Sequence, residues 1–74
     1  MRYWLILHRR KRNLTQMLVA MQAGISRAYY TQLELAQRDP SVKVAKKLGI
    51  ILEFDWSRFF EDNLETNQPE SIRV

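Results

Sequence analysis

Between Thr15 and Glu34 the chain reads TQMLVAMQAGISRAYYTQLE, and Gly24 is the one residue in it suited to a left-handed backbone. That glycine breaks the stretch into two short helices. Thr15 can cap the first by accepting a hydrogen bond from its free N–H groups, and Ser26 can do the same for the second. Gly24 stops the first helix, as glycine commonly does just past a helix end. Apolar side chains at Val19, Ala23, Ile25, Tyr30 and Leu33 give each helix a face to bury. Ala20 is small enough for two helices to approach closely there. The expected unit is a steeply crossed helix pair, its second member running from about Ser26 to Leu35.

The flanking segments read as further helices. An earlier one is expected over about Tyr3 to Arg12, ending before Asn13. QRDP is turn chemistry, because Asp39 before Pro40 disfavours continued helix. Ser41 can cap a fourth helix whose Val42, Ala45, Leu48, Gly49 and Leu52 fall on one face. Asp55 can cap a short last helix carrying Trp56, Phe59 and Phe60. From Asn63 onward the chain is polar, contains Pro69 and lacks periodicity, so residues 1–62 are expected to form the domain and 63–74 a flexible tail. Leu64 or Ile72 could dock back onto it. The fold class is thus all-α, a compact bundle of four to five helices.

At 74 residues with 46% hydrophobic content, the chain suffices for one small core. It has no cysteine, which removes disulfides and thiolate metal sites and fits a reducing interior. The N-terminal MRYWLILHRRKR places its basic cluster after a short apolar run, the reverse of a signal peptide. No apolar run approaches the roughly 20 residues of a membrane span. His8 has no second histidine or cysteine to share a metal, and no nucleophile has a recognisable base partner. Neither an enzyme nor a cofactor is expected.

The net charge of +4 is unevenly spread. Residues 1–52 carry ten lysines and arginines against Glu34 and Asp39, a balance of +8, while residues 53–74 stand at −4. A cationic body attracts phosphate backbones and acidic surfaces, and it is equally ordinary solubility charge.

The crossed pair has the helix-turn-helix pattern, in which the second helix enters the DNA major groove. Four fragments in order extend it: NLTQ at residues 13–16, AGISRAYYTQLE at 23–34, RDPS at 38–41 and FDWSRFFE at 54–61. Together they resemble the Cro/repressor-type, or XRE, helix-turn-helix domains over roughly Tyr3 to Asp62. KKLG at residues 46–49 mimics the end of that family's fourth helix. The register set by FDWSRFFE instead places Gly49 where a small helix residue belongs.

The resemblance implies roles residue by residue. The third helix would expose Arg27, Ala28, Thr31, Gln32 and Leu35 along one face. Arginine can pair with guanine bidentately, glutamine with adenine, and the threonine methyl can touch that of thymine. Arg27 and Gln32 are therefore the expected base readers, with Thr31 a lesser one. Gln16 resembles the family's phosphate-clamping glutamine at the start of helix two. Arg38 and Lys43 lie where the family grips the backbone. Tyr29 could donate its hydroxyl to a phosphate or lie half-exposed, and Arg9 and Glu34 resemble a structural ion pair joining helices one and three.

The chain also departs from that pattern. His8 stands at a core leucine position beside Leu7, where a polar residue is usual. Ala36 replaces the glycine that normally accepts the left-handed turn after helix three. Met17, Leu18, Met21, Leu35, Ile50 and Ile51 are apolar at positions usually polar. Either the helices rotate and enlarge the core, or these residues form a contact patch for a homodimer or another protein, or mark a diversified scaffold. The expected function is sequence-specific binding of double-stranded DNA by a small cytoplasmic, nucleoid-associated, repressor-like homodimer without a small-molecule ligand. The alternative is a protein-interaction or self-assembling module on the same fold.

Overall fold

Three of the four complete helices begin at a hydroxyl side chain that takes up a free backbone N–H. In this computed structural model, which describes residues 1–61, α1 spans Tyr3–Lys11, α2 Gln16–Ala23, α3 Arg27–Glu34 and α4 Val42–Leu52. Thr15 accepts from the Leu18 amide at 3.1 Å, Ser26 from Tyr29 at 3.0 Å and Ser41 from Val44 at 3.2 Å. Each bond satisfies one of the donors that a helix start leaves unpaired. Asp55 instead accepts from the amide and hydroxyl of Ser57, at 3.0 and 2.9 Å. A helical turn then follows at residues 58–61, and no strand forms among the described residues. The domain boundary expected after Asp62, and the docking of Leu64 or Ile72, lie outside the described residues.

All four helices end in the same way. A residue in the left-handed region follows each: Asn13, Gly24, Ala36 and Glu53, with φ between 56° and 71°. The next amide then reaches back five residues, from Leu14 to Arg9, Ile25 to Ala20, Gln37 to Gln32 and Phe54 to Gly49. This closure ties up carbonyls that a helix end would otherwise leave open. Only one of the four positions is glycine.

α2 is central, packing against both α3 and α4, while α1 lies against α3. Leu5, Val19, Ala20, Ala23, Tyr30, Leu33, Ala45, Leu48, Leu52 and Phe59 form the core, each at most 1% exposed. Trp4, Phe54 and Phe59 close it in edge-to-face contacts with ring centres 5.1–5.6 Å apart. Gly49 is required here: a Cβ would stand 2.8 Å from the Phe54 carbonyl oxygen, because the chain doubles back onto α4.

Two expectations are corrected. Val42 does not share the buried face of α4: it is half exposed, and Val44 packs against the core instead. Ile51 is not an outward-facing residue. It is half-buried against the core, since α4 turns its wide apolar face onto α2 and leaves Ile50 outside.

Candidate nucleic-acid interface

The outer side of α3 follows from how its inner side is held. Tyr30 and Leu33 are fully buried, and Glu34 is 98% removed from solvent. Arg9 donates to the Glu34 carboxylate from Nε at 2.6 Å and from Nη2 at 3.3 Å, and to the Leu14 carbonyl at 3.0 Å. α1, α3 and the turn before α2 are thereby tied at one point. Burial alone would push the Glu34 carboxyl up, but hydrogen bonds from Arg9 and Gln16 outweigh it and hold the group below the ordinary carboxylate value. The Tyr30 phenol, desolvated beside this pair, is pushed well up and stays neutral.

With that side locked, Arg27 and Ala28 stand exposed at the start of α3, and Thr31 and Gln32 follow half-buried along it. Leu35 caps the helix end at 37% exposure. Gln16 sits across the groove between α2 and α3. Its Nε2 donates to Glu34 Oε1 at 2.8 Å, and its Oε1 accepts from the Thr31 hydroxyl at 3.1 Å. Beyond α3, the Arg38 guanidinium lies 5.0 Å from the Tyr29 ring centre, and the Tyr29 oxygen accepts from the Ser41 amide at 3.4 Å. Tyr29 thus organises the α3–α4 turn, and Lys43 is exposed in the first turn of α4. The face offers a guanidinium, a carboxamide and a threonine on one helix, with cations beside it.

Two arginines counted in the cationic body are held internally. Arg2 is 95% buried, and its Nη1 donates to the carbonyls of Leu33 at 2.7 Å and Arg38 at 3.0 Å. Its Nη2 pairs with Asp39, its backbone amide donates to the Glu34 carbonyl at 2.8 Å, and the guanidinium lies over Phe59. Arg12 donates to the Leu52 carbonyl at 3.1 Å and pairs with Glu53 at 2.5 Å. Arg2 and Arg12 therefore cap the C-terminal ends of α3 and α4, where cations are favoured. Their distant carbonyl partners leave no local trace in sequence.

His8 lies against Trp4 and Phe54, with ring centres 6.4 and 5.3 Å away. Burial, then Lys11, Arg58 and Arg12, push its pKa below the ordinary histidine value, so it packs as a neutral ring. Met17, Leu18, Met21 and Ile50 are exposed, between 42% and 80%. A separate apolar groove of about 360 Å³ on α1, lined by Met1, Tyr3, Ile6, Leu7 and Arg10, was missed by the sequence reading, although Leu7 had signalled it. Among the described residues no helix is long and apolar enough to cross a membrane.

A packed α2–α3 pair joined through a left-handed glycine, with the outer side of α3 uncovered, defines a helix-turn-helix domain. The family model described as Helix-turn-helix matches residues 5–57, and the chain belongs to that family in its Cro/repressor-type form. The chain is also similar to the uncharacterized HTH-type transcriptional regulator YqaF of Bacillus subtilis (strain 168). The two are 53% identical over 62 residues, covering 84% of this chain and 82% of the relative. No solved structure matches the chain.

Proposed function

We propose that the protein binds double-stranded DNA sequence-specifically as a small, repressor-like transcriptional regulator in the cytoplasm, associated with the nucleoid. The observation that carries this reading is the uncovered outer side of α3, with Arg27, Thr31 and Gln32 on a helix whose inner side is locked by Arg9 and Glu34. α3 enters the major groove, where Arg27 pairs with guanine O6 and N7, Gln32 with adenine, and Thr31 with thymine. Arg38, stacked on Tyr29, contacts phosphate together with Lys43 and the Tyr29 hydroxyl. Gln16 keeps a second amide hydrogen for a phosphate beside the start of α2. A homodimer places two such helices on half-sites about one helical turn, ~34 Å, apart. Its contact is drawn from the exposed apolar residues Met17, Leu18, Met21, Leu35 and Ile50. The relative's name, a transcriptional regulator, supports the same reading.

Titration against random duplex DNA at two salt concentrations tests it. Affinity should fall steeply as salt rises, because binding releases condensed counterions. Arg27→Ala should cost about 1–3 kcal/mol at one base pair and relax preference there. No measurable affinity at low salt would sink the DNA-binding reading and favour a protein-interaction module using the exposed apolar residues.

A further inference from the structure

We propose that Gln16 is a positioning residue for Thr31, and that the methyl group of Thr31, not its hydroxyl, is what reads a base. This rests on the proposed docking of α3 in the major groove and names the chemical feature recognised there. The argument is a chain of donors with one solution. Arg9 fixes the Glu34 carboxylate through Nε at 2.6 Å. An ionised carboxylate only accepts, so the group facing it from Gln16, 2.8 Å away, must be the Nε2 amide. That turns Gln16 Oε1 toward Thr31, and Oε1 only accepts. Thr31 must therefore donate its single hydroxyl hydrogen, over 3.1 Å. The bond holds Thr31 in one rotamer and uses up its only side-chain donor.

What Thr31 retains for a ligand is its Cγ2 methyl and the remaining lone-pair side of its oxygen. In the major groove the complementary partner of a methyl is the C5-methyl of thymine, which no other standard base carries. Thr31 lies one turn beyond Arg27 on the same helix, so the thymine it meets neighbours the pair that Arg27 reads. Arg9, Glu34 and Gln16 hold this geometry in the free protein, so no side-chain ordering is needed at Thr31 on binding.

The test uses the intact protein and the duplex it enriches from a random library. Each thymine of that duplex is replaced singly by deoxyuridine, which deletes only the methyl. At one thymine the wild type should lose about fourfold in affinity, the worth of one buried carbon group. Thr31→Ser keeps the hydroxyl and drops the methyl, so it should show no such loss. Thr31→Val keeps a methyl but loses the bond to Gln16, so the loss should shrink as in Gln16→Ala without vanishing. Gln16→Ala should shrink the loss while its circular dichroism melt stays cooperative. If Gln16→Ala does not fold, the two Thr31 variants decide alone. The proposal is overturned if Thr31→Ser keeps the full deoxyuridine penalty, if Thr31→Val abolishes it, or if no thymine is sensitive. Those results leave DNA binding intact, whereas failure to bind any duplex overturns both readings.

Discussion

Ala36 carries the clearest local strain in the protein. Its φ of +61° is a conformation that costs a side-chain-bearing residue about 1–2 kcal/mol, yet it closes the end of α3 through the Gln37-to-Gln32 bond. Ala36→Gly should therefore raise stability by about 1 kcal/mol, read as an increased urea midpoint with unchanged slope. An unchanged midpoint would mean that the added freedom of glycine in the unfolded chain offsets the relief. The alanine was legible as a departure from a glycine-ended helix. Glu53, which ends α4 the same way, was not, because glutamate has no preference for a left-handed backbone, whereas Asn13 after α1 is a residue type that tolerates it.

Between elements, Arg2 does more than its place at the second residue suggests. It reaches the C-terminal end of α3 with a backbone amide and a guanidinium, and it covers Phe59 as well. Hydrogen bonds from a charged group contribute about 1.5–3 kcal/mol each, and truncation removes those to the Leu33 and Arg38 carbonyls. Arg2→Ala should lower stability by about 2 kcal/mol or more in a denaturant titration. Arg10→Ala, on the exposed side of α1, should stay within about 0.5 kcal/mol. Equal effects would show that Arg2 is no more than surface charge. Helix starts are legible in sequence because a cap lies within three residues of the donor it satisfies. The roles of Arg2 and Arg12 are not, because their partners lie 31 and 40 residues away.

Across the whole molecule, Glu34 links the helices into one titrating unit, bound by Arg9 from α1 and Gln16 from α2. Its folded-state pKa lies below the ordinary value of 4.5. The unfolded chain therefore takes up the proton first as pH falls. Stability from the ionised carboxylate is complete above pH 4.5 and is lost as pH drops through the folded value. Thermal melts of wild type and Glu34→Gln should differ most near neutrality and converge below pH 4.5. A gap independent of pH would show that the ionised form contributes nothing. Separate ion pairs consume further charge: with Arg2, Arg9 and Arg12 paired internally to Asp39, Glu34 and Glu53, the cations left for a phosphate backbone on the body are Arg10, Lys11, Arg27, Arg38, Lys43, Lys46 and Lys47.

The helix order, the caps at Thr15, Ser26 and Ser41, the turn at Gly24 and the outward placement of Arg27 were readable without coordinates. Each depends on residues within one or two helical turns of one another, where spacing alone sets geometry. Which face of α4 is buried, with Ile51 inward and Val42 outward, depended on how α2 lies across it. So did the fate of the cations and the settling of Gln16 between Glu34 and Thr31. Those outcomes require groups far apart in the chain to compete for the same few buried acceptors, and only the packed helices bring the competitors together.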